Sequence, residues 1–257
     1  MPTGRTSHTR LRDLIQLAGK AQCDFEQGRT TEHMRIDHIV WDWNGTLFDD
    51  GEALVRATIE AFARSGLPEV TWSGYQEHFT RPITDFYDRL ARRTLTSQEQ
   101  SHLDRHFQSS YAELLERSKL HAEAVEALTA WRAAGRTQSL LSMYPHDSLV
   151  GLPQFGVVEH FFSRVDGMRA DEPSRKESHL RRHLAAVAAE AVLVVGDSTD
   201  DVAAAQACGV PSVLYHPTER ALLSHARVRD LEVPVVRELP EAVRWALAES
   251  SREHHGA

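Results

Sequence analysis

The chain has 257 residues, 41% of them hydrophobic and 26% charged, enough for a sizeable core and ordinary for a soluble globular protein. Its net charge of -8 speaks against a nucleic-acid surface, which gathers lysine and arginine into patches. Two cysteines, Cys23 and Cys208, are too few for a disulfide framework and point to a cytoplasmic setting, while no apolar run approaches the roughly 20 residues of a membrane span and no signal-peptide core opens the chain.

Residues 1–33 read as a polar N-terminal extension, with one helix expected over Leu11 to Ala21 from its apolar spacing. A domain starting at Met34 would be complete, so the extension reads as an appendage or the product of an upstream start. From Ile36 the pattern alternates. Strands are expected at 36–42, 137–143, 161–165, 191–196, 211–215 and 233–236, and helices at 121–134, 175–189, 200–208 and 240–249. Gly135 stands where a helix C-terminal glycine belongs. This alternation predicts an α/β fold with a doubly wound parallel sheet. Residues 51–119 break it with helical patterns only, at 52–65, 71–79, 83–93 and 96–117, punctuated by Pro68 and Pro82. They are expected to form an inserted α-helical cap domain. The core domain is then 34–50 with 120–247, and 248–257 is a flexible tail.

Ligands on open α/β sheets bind beyond the carboxyl ends of strands. The polar residues at the ends of the expected strands are Asp42 and Asn44, Ser142, and Asp197 with Asp200 and Asp201; Lys176 opens the helix before the strand that leads to Asp197. Carboxylates, a hydroxyl and an ammonium group at one edge suit phosphoryl chemistry. A carboxylate can attack phosphorus to form an acyl phosphate, Mg²⁺ takes carboxylates, carbonyl oxygens and phosphate oxygens, and lysine with a hydroxyl neutralises the remaining oxygens.

In order, "DWNGTL" (Asp42 to Leu47), "LLSM" (Leu140 to Met143), Lys176 and "GDSTDD" (Gly196 to Asp201) resemble the motifs of the haloacid dehalogenase-like hydrolase superfamily, in its helical-cap branch of phosphoglycolate phosphatase- and β-phosphoglucomutase-like proteins. The resemblance covers about 36–216 and implies a Mg²⁺-dependent phosphohydrolase acting on a small phosphorylated metabolite, with no nucleic-acid or membrane partner. By that resemblance Asp42 is the nucleophile and a metal ligand. The Asn44 carbonyl and Asp197 complete the protein ligands, Asp201 supports the metal loop, Thr46 holds the nucleophile loop, and Ser142 and Lys176 bind the phosphoryl group. Monomer and homodimer are both open. The acidic motif "GDSTDD" argues against dehalogenation.

Two departures stand out. Lys176 is followed by glutamate instead of proline, which leaves Arg175 as a possible partner in its role. Asn44 replaces the aspartate that protonates the leaving oxygen and activates water in the family's phosphatases. An amide does neither, so the expected alternatives are a hydrolysis-deficient phosphate-binding or regulatory protein, or a phosphotransferase. His146, just after Ser142, is a candidate replacement acid or base, and Arg81 a candidate contact to a substrate carboxylate or second phosphate. His179 and His183 read as part of a solvated helix face, and Trp41 and Trp43 as packing residues.

Overall fold

The computed structural model describes residues 35–169, 175–217 and 221–251; the helix expected at 11–21 and the end of the tail lie outside the described residues. The chain enters through β1 (His38–Trp41) and a two-residue strand β2 (Phe48–Asp49), then passes through α1 (Gly51–Arg64), α2 (Trp72–His78), α3 (Ile83–Ala91) and α4 (Ser97–Leu115). It returns through β3 (Lys119–Leu120), α5 (Ala124–Ala133), β4 (Thr137–Pro145), α6 (His146–Val150), α7 (Pro153–Val158), a 3-10 turn (Glu159–Phe161) and β5 (Val165–Met168). The remainder is α8 (Lys176–Ala186), β6 (Val192–Gly196), α9 (Thr199–Cys208), β7 (Ser212–Tyr215), α10 (His225–Arg229), β8 (Val235–Val236) and α11 (Leu239–Ser251). Among the described residues no helix is long and apolar enough to cross a membrane.

Six strands form one sheet in the order β5-β4-β1-β6-β7-β8, every neighbouring pair parallel. The connections run outward in both directions from β1, so β1 and β6 flank the topological switch point where such sheets bind ligands. Both strands are buried along their whole length, which explains their unbroken apolar runs: helices cover both faces. On one face Trp41, Trp43, Trp131, Leu128 and Leu193 pack together; on the other, Val40, Val194, Leu180 and Ala204. The buried indoles of Trp41 and Trp131 donate to Gln138 Oε1 (2.9 Å) and the Thr137 carbonyl (2.6 Å), meeting the need of a buried N–H for a partner.

The antiparallel pair β2–β3 is the stem through which the four-helix segment α1 to α4 leaves and rejoins the sheet. That segment has its own cluster, with Val55, Phe62, Tyr75, Phe86, Leu90 and Leu103, joined by Leu222 from the loop after β7. Thr96 and Glu99 form a reciprocal capping box at the start of α4. Gln76 donates to the Ala221 carbonyl (2.7 Å) and Arg227 to the Phe79 carbonyl (2.7 Å), tying α2 and the residue after it to the far half of the sheet.

The strand expected at 161–165 is displaced. Phe161 closes a 3-10 turn and lies under the Arg132 guanidinium, 4.3 Å from its ring centre, and β5 starts only at Val165. Gly167, a poor strand former, sits inside β5 because a side chain there would strike the backbone of Tyr144 and His146. The helix expected over 175–189 ends at Ala186, and α11 runs to Ser251, into the segment expected as tail. His179 and His183 are a correction: both are buried, at 2% and 0% exposure. Lys176, His179, Leu180 and His183 form the buried stripe of α8, at the spacing of one helix face.

That stripe feeds a buried polar chain. His38 bonds Thr137 Oγ1 and Ser139 Oγ (both 2.7 Å), Ser139 Oγ bonds His183 Nε2 (2.7 Å), and His183 Nδ1 bonds Asp166 Oδ2 (2.7 Å), which also accepts from Arg164 Nε (2.5 Å). Burial, and then the nearby His183, lower the His38 pKa to about 4. A histidine depressed in the folded state is neutral there while the unfolded chain still binds its proton, so stability falls as pH drops from about 6.5 to about 4. The contribution is at most about 3.5 kcal/mol, at ~1.4 kcal/mol per unit. Urea unfolding across that window should show a stability slope that His38→Asn flattens by close to one proton; an unchanged slope contradicts this assignment.

Candidate active site

Asp42 follows β1 directly and its backbone N–H donates to the Val195 carbonyl of β6 (2.9 Å), so the ends of the two central strands are locked together. Asp197 follows β6. Gly45, with φ 74°, turns the chain after Asn44, and a Cβ there would overlap the Asp197 carboxylate. Glycine is therefore required twice, for the left-handed turn and for the close approach. Thr46 Oγ1 donates to Asp197 Oδ1 at 3.4 Å. Ser198 caps α9, and its hydroxyl and N–H donate to Asp201 Oδ2 at 2.6 and 3.0 Å. Gly196 again leaves room for this carboxylate where a side chain would strike it.

Asp42, Asp197 and Asp201, all buried, each bring a carboxylate oxygen to within 4.8 Å of the others. Lys176, 7% exposed, ion-pairs with Asp42 and, at 2.5 Å, with Asp201 Oδ1. Arg175 beside it is exposed. Burial alone would lower the Lys176 pKa, but Asp201 and Asp42 outweigh it and hold the ammonium charged. Burial, followed by Asp42 and Asp201, pushes Asp197 well above the carboxylate range, and burial likewise raises Asp42 against the pull of Lys176. Three carboxyl groups face one ammonium, so their full ionisation needs more positive charge than Lys176 supplies. Hard oxygen donors with uncompensated charge fit a divalent cation of the Mg²⁺ kind, and the donor set is therefore one that a metal could complete. Both oxygens of Asp201 already have protein partners, which leaves Asp42 and Asp197 as the freer donors.

Asn44 lies beside this group with both ends of its amide engaged. Its Nδ2 donates to Asp50 Oδ2 (2.7 Å) and Tyr111 Oη (3.2 Å), and its Oδ1 accepts from Ser142 Oγ (3.2 Å). A carboxylate only accepts, so Asp50 fixes which way the amide faces. Asp50 is fully buried and also takes the Tyr111 hydroxyl (2.5 Å) and the Gly45 N–H (2.9 Å). Burial raises its pKa, and those three donors oppose the rise.

Above the acidic group opens a cavity of about 360 Å³ between the sheet edge and the four helices. Asp42, Asn44, Lys176 and Asp197 lie along it, as does Arg81, whose guanidinium sits 3.5 Å from Asp200. His146 does not line it; its Nδ1 accepts the Gly167 N–H at 3.1 Å. The structure thus brings together Asp42, Asn44, Thr46, Ser142, Lys176, Asp197 and Asp201, puts Arg81 along the cavity in an ion pair with Asp200, and leaves His146 outside. Sequence reasoning missed Asp50 and Tyr111. The doubled Asp49-Asp50 was a visible signal; Tyr111 gave none, since its contact spans 61 residues.

The haloacid dehalogenase-like hydrolase family model matches residues 36–209, more than half of the chain. A phosphoglycolate phosphatase of Mesorhizobium japonicum is 27% identical over 222 residues, 82% of this chain and 94% of that protein. One of Aliivibrio fischeri is 29% identical over 193 residues, 69% of this chain and 82% of that protein. A crystal structure of a predicted phosphatase from Clostridium acetobutylicum superposes with a TM-score of 0.68 at 15% identity, over 83% of this chain and 99% of that one, a likeness of fold. With the parallel sheet and the motif residues converging at its switch point, the chain belongs to the haloacid dehalogenase-like hydrolase family and is a hydrolytic enzyme.

Proposed function

We propose that the protein is a Mg²⁺-dependent phosphohydrolase of a small phosphorylated metabolite, with helices α1 to α4 acting as the cap over the site. The observation that carries this reading is the meeting of Asp42, Asp197 and Lys176 at the floor of one cavity. Asp42 attacks phosphorus, the bond from phosphorus to the leaving oxygen breaks, and an acyl phosphate forms on Asp42. Water then attacks that phosphorus and restores the carboxylate. Lys176 favours the ionised form of Asp42 against the effect of burial and holds it in place, and then faces the transferred oxygens together with Ser142. Asp42, Asp197 and the Asn44 carbonyl would hold the ion, which when bound offsets the charge of an anionic substrate against an anionic nucleophile. The cap excludes bulk water.

Asn44 supplies no proton to the leaving oxygen and takes none from water. Positioned acid–base catalysis is worth roughly 10²–10⁴-fold, or about 3–5 kcal/mol of barrier, so both steps are slowed and the acyl phosphate is long-lived. That lifetime favours transfer to an alcohol acceptor as a second reading. The relatives named phosphoglycolate phosphatase make 2-phosphoglycolate the reference compound.

With phosphomonoesters and Mg²⁺, phosphate release should fall to background in Asp42→Asn and on chelation of the metal, and return when Mg²⁺ is restored. Release that survives Asp42→Asn would refute the proposed nucleophile. A second measurement concerns Asn44. Asn44→Asp alone puts a carboxyl against buried Asp50, where two cannot both ionise, and should lower thermal stability without restoring full activity. The swapped pair Asn44→Asp/Asp50→Asn keeps the hydrogen bonds. It should recover the stability, with a coupling of about 1–3 kcal/mol, and raise phosphate release about 10²-fold or more. A single Asn44→Asp variant as stable as the parent contradicts the locked amide.

A further inference from the structure

The cavity is larger and more aromatic than a two-carbon acid requires. Its volume of about 360 Å³ falls within the roughly 300–1,000 Å³ of sites for drug-sized ligands. Two aromatic walls line it, exposed mainly at Phe79, Phe107 and Tyr144, since Tyr75, Phe86 and Tyr111 are almost wholly buried. On one, Tyr75 stacks on Phe79 with ring centres 5.4 Å apart, and Phe86 meets both edge-on at 5.0 and 5.3 Å. On the other, Phe107 stacks on Tyr111 at 5.4 Å, and Tyr111 meets Tyr144 edge-on at 6.2 Å. The charged groups on the walls do not welcome a second anion: Arg81 is paired with Asp200, and Asp104 adds another carboxylate.

The floor carries an independent restriction. Asn44, held by Asp50, Tyr111 and Ser142, gives no proton to the departing oxygen. An alkoxide, whose conjugate acid has a pKa near that of water, about 16, leaves poorly without one. A phenolate, whose conjugate acid has a pKa near 10, leaves without help. Aromatic walls and a missing acid select the same chemistry.

We propose that the substrate is a phosphate monoester of a phenol, an aryl phosphate whose ring lies between the Tyr75–Phe79–Phe86 and Phe107–Tyr111–Tyr144 walls. The inference rests on the phosphohydrolase reading and narrows it. In the first step the Asp42 carboxylate forms a bond to phosphorus as the bond to the phenolic oxygen breaks; the phenolate leaves with the electron pair and takes its proton from water. In the second, water attacks the acyl phosphate and releases inorganic phosphate.

The test compares 2-naphthyl phosphate, 2-naphthylmethyl phosphate and 2-phosphoglycolate with the full chain and Mg²⁺, following both naphthol and phosphate. The expected result is a burst of naphthol stoichiometric with enzyme. Its kcat/KM should exceed that of the naphthylmethyl ester about 10²-fold or more and exceed that of 2-phosphoglycolate as well. Phe107→Ala, at a partly exposed wall position, should lower kcat/KM for 2-naphthyl phosphate up to about tenfold. If 2-phosphoglycolate or the naphthylmethyl ester is used as well as the aryl ester, the inference is overturned and the phosphohydrolase reading stands. A burst with no later phosphate release keeps the inference and overturns hydrolysis. Neither burst nor turnover with any of the three overturns both.

Discussion

The contact between Lys176 and the carboxylates of Asp42 and Asp201 joins three parts of the chain that are distant in sequence, and the rest of the site is arranged around it. Asp42 comes from the end of β1, Asp201 from the first turn of α9 and Lys176 from the first turn of α8. Burying three carboxylates is costly unless cations face them. One ammonium meets that need in part, and the remainder of the charge sets the chemistry the site can do. The parallel order of the sheet makes the meeting possible, because it places β1 beside β6 and both strands end at the same edge. Glycines at 45 and 196 then let backbone and carboxylate come together where a side chain would block them.

A second constraint decides how the site departs from the family pattern. The Asn44 amide and the Asp50 carboxylate are partners, so the asparagine is one half of a matched pair. A carboxylate at position 44 would face a like charge in a dry environment. The amide there and the carboxylate six residues later form a single structural fact, and Tyr111 on α4 joins it to the four-helix segment. On the proposed reading, the chemistry that remains is nucleophilic attack with charge neutralisation, suited to leaving groups that depart unaided. The aromatic walls of the cavity point in the same direction.

Much of this architecture is legible in the sequence, for definite reasons. Strands β1 and β6 announce themselves by apolar runs that end at aspartates, since strands covered on both faces show no polar alternation. Asp42, Ser142 and Asp197 stand out as polar residues at strand ends, and Lys176 as the opening residue of a helix. The strand β5 is misplaced by sequence because Gly167 carries no side-chain signal and serves close backbone packing. The histidines of α8 mislead because their polarity suggests water, whereas Ser139 and Asp166 satisfy His183 in the interior. Asp50–Tyr111 and the two aromatic walls are products of tertiary packing, which brings α4 against the loop after β1 and leaves no local pattern to read.

The most direct test of the central claim is a crystal structure with Mg²⁺ and a metallofluoride mimic of the phosphoryl group. The account predicts one ion about 2.1 Å from an oxygen of Asp42 and an oxygen of Asp197, with the mimic in line with Asp42 and the Asn44 amide still turned toward Asp50. An ion bound elsewhere, for instance at Asp200 or Asp104, or a mimic that does not approach Asp42, would contradict it.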